Sequence, residues 1–235
     1  MRGFIVMAMF VASLAQADSK GYTEVRDLAL ESAGLAEFVI DAGAGSLVVT
    51  GVDGARDITV TATIVIEDKN EEAAQKLIAK RLDLKLERDG DRAKLESGFK
   101  SGWGWDANAR IDLDIRMPAG LALQVDDGSG STTITGVTAD MLVDDGSGSV
   151  QVTTAGSVTV DDGSGSITVS DASGDVDIND GSGSIDIRRV GGSVKIDDGS
   201  GSIKVDDVEN DLIIVDDGSG SVTYTNVRGA VELND

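Results

Sequence analysis

The side chains of this sequence that could do chemistry are carboxylates, and they recur. Asp126-Asp127, Asp144-Asp145, Asp161-Asp162, Asp197-Asp198 and Asp216-Asp217 each open the hexapeptide Asp-Asp-Gly-Ser-Gly-Ser, and Asn179-Asp180 opens a sixth copy. Successive copies start 18, 17, 18, 18 and 19 residues apart. Carboxylates beside a glycine-rich turn suit a hard cation such as Ca²⁺, which takes carboxylate and carbonyl oxygens. The plainer reading has the second Asp closing an Asx-turn on the Gly-Ser amides and the first one solvated. The calcium-binding nonapeptide solenoid has Asp after its glycines and a nine-residue period; here Asp precedes them and the period is twice as long. Carboxylates could also cleave a polysaccharide, but that needs one unequal, preorganised pair. This pair is nearly the same in every unit, and Arg188-Arg189 is the only basic doublet near it.

Absences narrow the chemistry further. The 235 residues include no His and no Cys, which excludes a Ser-His-Asp triad, a thiol nucleophile and a standard zinc site. The 42 acidic against 20 basic residues give a net charge of −22, which repels nucleic-acid phosphates. Residues 126–235 hold 22 of those acids and only 5 bases, so the charge belongs mainly to the repeats. Outside them, Trp103-Gly104-Trp105 is the conspicuous feature. On a loop it could contact a glycan or a lipid headgroup; alternatively the pair packs over an end of the fold.

The repeats must be positioned by strands. Each unit carries two alternating runs, such as Ile167-Thr168-Val169 and Val176-Asp177-Ile178, with one more small or apolar residue three positions after the first run: Val137, Ala155, Ala172, Val190, Val208, Val227. Period-two alternation predicts strands with one face inward. One unit buries about five apolar side chains, too few to offset the backbone entropy of ordering ~18 residues. Units must therefore stack, each strand pairing with its own copy in the next coil. The hexapeptide is the corner of a parallel β-solenoid, and stacking aligns the aspartates in two rows, the first facing out and the second at the turn. The 17- and 19-residue units are expected to differ in the turn between the two runs. Carboxylates ~5 Å apart in such a row repel by about 0.8 kcal/mol in water and several-fold more at lower dielectric.

Upstream, Asp41-Ala42-Gly43-Ala44-Gly45-Ser46-Leu47-Val48-Val49 repeats the corner and first run, so residues 36–60 read as a first coil. Residues 61–120 break the pattern. Thr59 to Ile66 reads as a strand. Asn70 offers an N-cap to a helix with Glu71 and Glu72 in its first turn, an apolar stripe at Ala73, Ala74, Leu77 and Ile78, and Lys76, Lys80 and Arg81 late. Leu82 to Arg88, Arg92 to Ser97 and Ala109 to Arg116 read as antiparallel strands. Residues 61–120 thus form an α+β cap insertion covering the N-terminal end of a solenoid that resumes over 121–235. Met1-Arg2, the apolar Gly3 to Leu14 and Ala15-Gln16-Ala17 make a three-part export signal over residues 1–17, cleaved after Ala17, with 18–35 as lead-in. The apolar run is too short to span a bilayer.

An early Gly-x-Gly-Ser coil, an irregular insertion, then Arg116-Met117-Pro118-Ala119-Gly120-Leu121 leading into Gly-Ser-Gly-Ser-Ile/Val-x-Val units resembles the bacterial envelope family labelled "putative adhesin", a domain of unknown function. The resemblance covers residues 36–235. It implies a single-stranded right-handed parallel β-helix and an exported location (periplasm, secreted or cell surface), and it supplies no catalytic residues to carry over. The combined expectation is an all-β solenoid with a small N-terminal α+β cap, acting as a non-catalytic structural or adhesin-like module toward an envelope protein or surface polysaccharide. A calcium-binding module is the alternative, with ligands among Asp126, Asp127, Asp144, Asp145, Asp161, Asp162, Asp180, Asp197, Asp198, Asp216 and Asp217; a polysaccharide-cleaving enzyme is a distant third. The last residues, Asn234-Asp235, fall where a seventh corner would begin, and self-association through that end is expected.

Overall fold

A computed structural model describes residues 11–18, 21–100 and 108–234, with side chains from Gly21 onward. Trp103 and Trp105 lie outside the described residues, as does most of the apolar run at the start of the chain.

The fold is a parallel β-solenoid of about six turns and about 18 residues per coil. Its long strands are the second half of β8 (Ala122–Thr135), then β10 (Gly148–Ala155), β12 (Gly165–Ala172), β14 (Gly183–Val190), β16 (Gly201–Val208) and β18 (Ser221–Val227). Its short strands are the first half of β8, then β9 (Met141–Asp145), β11 (Val158–Asp162), β13 (Val176–Asp180), β15 (Val194–Asp198), β17 (Leu212–Asp216) and β19 (Val231–Leu233). Every ladder is parallel and sets a repeat on its own copy: Ile167 beside Ile185, Val169 beside Ile187, Ala172 beside Val190. One coil turns Ile167, Val169, Ala172, Val176 and Ile178 inward, all at most 2% exposed. β-Branched residues fill most of these positions, as a pleated, packed surface favours.

The three-residue step to the last inward residue of each long strand has a backbone cause. Thr154, Asp171, Arg189, Asp207 and Asn226 adopt φ between 54° and 61°, and Gly136 has φ 75°. A left-handed residue consumes one position without reversing the strand's faces. Ser170 and Asp171 therefore both stay outside, and Ala172 returns to the core. The 17-residue unit is short in the turn, where Ala155 and Val158 are three apart instead of four. The 19-residue unit corrects the expectation that it too differs in the turn. Its extra residue is Val215, inside β17: Ile196 pairs with Ile214, and Asp197 pairs with Asp216. A bulge absorbs the extra residue because the flanking inward positions, Leu212 and Ile214, keep their register.

β3 (Glu37–Val52) forms both sides of the first coil and pairs with β8 in register from Glu37–Ala122 to Thr50–Thr135. Beyond it, the parallel ladder continues into β6 (Arg92–Phe99) on one side and β7 (Ala109–Pro118) on the other. It then turns antiparallel: β5 (Leu82–Asp89) pairs with β6, β4 (Asp57–Glu67) with β7, β2 (Gly21–Glu31) with β4, and β1 (Val11–Asp18) with β2. Helix α1 (Glu71–Arg81), the one helix among the described residues, packs near β2 and β5. Asn70 accepts the Ala73 N–H at 3.0 Å as its N-cap. Ala74 and Ile78 are buried and Leu77 is half-buried, but Ala73 is exposed, so the packed stripe is narrower than the sequence suggested. At this end the parallel ladders thus give way to antiparallel pairs and a helix, and the corners remain as the repetitive feature of the coils.

Candidate functional site: the aspartate corner

At each corner a short strand ends in two aspartates, and strand alternation sends them opposite ways. Asp126, Asp144, Asp161 and Asp197, with Asn179 among them, are exposed. Asp127, Asp145, Asp162, Asp180 and Asp198 are at most 2% exposed. Parallel register stacks each row on itself: Asp144, Asp161 and Asn179 outside, Asp145, Asp162 and Asp180 inside. The row begins at Asp41, which pairs with Asp126, while Ala42 occupies the inner place before Asp127. Two carboxylates on opposite faces of a strand cannot share one cation. The eleven candidate aspartates therefore divide into an open outer row and a closed inner one.

The inner row is built by an Asx-turn. The amide N–H groups of Ser147, Ser164, Ser182 and Ser200 donate to Oδ1 of Asp145, Asp162, Asp180 and Asp198 at 3.0–3.1 Å. At the residue after each of these serines the chain passes so near the previous coil that only glycine fits. Gly165 has φ 152°, and a Cβ there would stand 1.5 Å from the Gly148 carbonyl oxygen. The other carboxylate oxygen, Oδ2 of Asp145, Asp162, Asp180 and Asp198, is buried and meets no donor. Asp127 differs: Thr132 Oγ1 donates to its Oδ2 at 2.9 Å. Thr132 stands where Val150, Ile167, Ile185 and Ile203 stand in later coils, a single polar replacement that serves the first carboxylate.

Burial is the largest influence on this row and favours the neutral acid. It pushes the Asp145 carboxyl up to about 6, with the charges of Asp127 and Asp162 adding to it. Asp180 is also pushed up to about 6 by burial, which its Ser182 amide partly counters. Asp127, Asp162 and Asp198 are raised for the same first reason. In the outer row, partial desolvation and then the charges of Asp144 and Asp41 raise Asp126.

The Val215 bulge ends the inner row. Asp216 and Asp217 are not buried, and Asp216 Oδ1 takes the Gly218 N–H at 2.8 Å in place of the Asp198-type turn. The basic doublet is engaged elsewhere. Arg188 pairs with Asp186 in its own strand, and Arg189 reaches Asp171 of the preceding coil at 2.6 Å. Among the described residues no three acidic side chains converge as a metal-binding cluster. Two clefts of about 250 and 300 Å³ lie instead beside Asp41, Ser97, Gly98 and Phe99, at the cap's junction with the first coil.

Sequence reasoning placed the second aspartates at the turn and missed that they are interior. The signal was present: Asp145 stands two after the inward Val143, and so shares its face.

No family model matches the chain, and no curated protein does. Over most of its length it is similar to several solved structures. One is a "putative cell adhesion protein" of Clostridium sporogenes (15% identity, 91% of this chain and 99% of that one, TM-score 0.30). Another is a "putative lipid binding protein" of Parabacteroides distasonis (14%, 89% and 93%, TM-score 0.44). A third is a "putative adhesin" of Bacteroides fragilis (10%, 90% and 97%, TM-score 0.39).

Proposed function

We propose that this chain is an exported, non-catalytic β-solenoid of the bacterial cell envelope, presenting its acidic corner to an envelope protein or a surface polysaccharide. The observation that carries the reading is repetition: the exposed carboxylates recur in register from coil to coil, about 4.8 Å apart, with Asn179 standing between Asp161 and Asp197. Hydrolysis needs two carboxyls with different environments facing one bond. Here the unequal pair in each coil points to opposite faces, and the nearby arginines are held by other acids. A regular row instead suits a regular, extended partner.

Export rests on the sequence of residues 1–17. Cleavage after Ala17 would remove β1 apart from Asp18; among the described residues β1 pairs with β2, so the solenoid's own ladders do not depend on it. Expression with its native leader should yield envelope-located protein whose first residue is Asp18. An intact Met1 in the cytoplasmic fraction would remove the export reading. For binding, immobilised full-length protein should retain an envelope component. The outer-row variant Asp126→Asn/Asp144→Asn/Asp161→Asn/Asp197→Asn should retain much less. Equal retention, or turnover of an acidic polysaccharide by the wild type, would overturn the proposal.

Calcium is the second reading, favoured by the unneutralised stack Asp41, Asp126, Asp144 and Asp161, which makes no ion pair among the described residues. Facing solvent, this row could bridge a cation between coils. Titration calorimetry on chelator-treated protein decides it: no heat and an unchanged Tm at millimolar calcium would exclude such a site.

A further inference from the structure

The inner carboxylates pose a separate question. Asp145, Asp162, Asp180 and Asp198 are enclosed, stacked coil upon coil, and each holds an oxygen that no donor reaches. An ionised carboxylate in such a place requires a counter-charge or further hydrogen bonds. The charged groups around them are all of one sign. Asp127, Asp144 and Asp162 act on Asp145; Asp161 acts on Asp162; Asp162 and Asp198 act on Asp180; Asp197, Asp216 and Asp217 act on Asp198. No lysine or arginine among the described residues pairs with any of them. The inward residues that follow these corners, Val150, Ile167, Ile185 and Ile203, are apolar, and the hydroxyl of Thr132 is taken by Asp127. A divalent ion would need several convergent oxygens, and no such convergence exists among the described residues. A proton needs only one oxygen, and each of these residues has one to spare.

We infer that this inner column is a proton-binding spine: folding loads its aspartates as neutral carboxylic acids, and their ionisation as pH rises toward neutrality loosens the corners. Each Oδ1 keeps its Ser amide whether the group is neutral or charged, so the proton belongs on Oδ2, where it removes the uncompensated charge. The sign follows from linkage. A folded-state carboxyl raised above its unfolded value adds stability in full below the ordinary carboxylate range. That stability is lost as pH rises through the folded value, here near 6 for Asp145 and Asp180. Because the groups are stacked, they release protons as a coupled set.

The test is Tm against pH for the full chain, with ¹³C NMR titration of the aspartate carboxyl carbons. The wild type should lose roughly 5–10 °C between about pH 5 and about pH 7.5. Asp145→Asn/Asp180→Asn should flatten much of that slope, whereas the outer pair Asp144→Asn/Asp161→Asn should leave most of it. A slope unchanged by the inner pair, and removed by the outer one, would assign the effect to surface charge and overturn the inference. The NMR arm needs no variant: the inner-row carboxyls titrating above the ordinary range support the spine, and all aspartates titrating near the ordinary value refute it.

Discussion

At the scale of single residues, the corner depends on which oxygen has a partner. Asp127 and Asp145 occupy equivalent places in adjacent coils, yet only Asp127 has a hydroxyl on its Oδ2. Thr132 lies at 0% exposure among apolar neighbours, so its hydroxyl is there for the carboxylate. Replacing it with valine, the residue that Val150 supplies one coil later, keeps the shape and removes the bond. Thr132→Val should therefore cost about 1–3 kcal/mol, the usual penalty for orphaning a buried polar group. Thermal unfolding near neutral pH should show a lower Tm, and the deficit should shrink as acid neutralises Asp127. A Tm at or above that of the wild type would mean that the bond contributes nothing. The residue types were legible in the sequence, and so was the Asx-turn. The interior position of the second aspartate was not drawn from it, because charge argued for solvent and strand parity argued for the core. Parity prevailed because the strand cannot turn Asp145 out without turning Val143, two residues before it, out as well.

At the scale of the element, the long strand is interrupted once per coil by a left-handed residue. Gly136 and Asn226 accept that conformation readily, and Asp171 and Asp207 do so tolerably; Thr154 and Arg189 do not. A β-branched side chain at φ 56° costs about 1–2 kcal/mol. The three-residue step in the sequence marked where the irregularity lies but not its backbone form, since only two of the six residues at that place are Gly or Asn. Thr154→Gly should release most of the strain, less the extra chain entropy of glycine. The expected net gain is a few tenths to about 1 kcal/mol, read as a rise in Tm or denaturant midpoint. The reverse exchange, Asn226→Thr, should lower both. If Thr154→Gly destabilises instead, the kink is not a site of strain. The cap shows the converse limit of sequence reading. Its helix and strands were visible from capping and alternation, but the joining of β6 and β7 onto β3 was not, because parallel pairing between distant segments leaves no local pattern.

At the scale of the whole molecule, stability is shared between neighbouring coils. No disulfide is available to this cysteine-free chain, and the ladders of the solenoid link each strand to its copies above and below. The fold should then behave as a row of units, each unfavourable alone and held by its two interfaces. Deleting residues 161–178 removes one whole coil, leaves Val160 on Val143, and brings Asp144 beneath Asn179, Asp145 beneath Asp180 and Val150 beneath Ile185, pairings of the same type as those lost. The shortened protein should fold cooperatively, with the same far-ultraviolet strand signature and a Tm within several degrees of the parent. Deleting 161–169, half as many residues, places a corner against a strand, breaks both ladders at that level and should abolish the single cooperative transition. If the half-coil deletion is tolerated as well as the full one, register between identical corners is not what holds the solenoid. If neither folds, the coils are not equivalent, and the stacked aspartates depend on features particular to that level of the column.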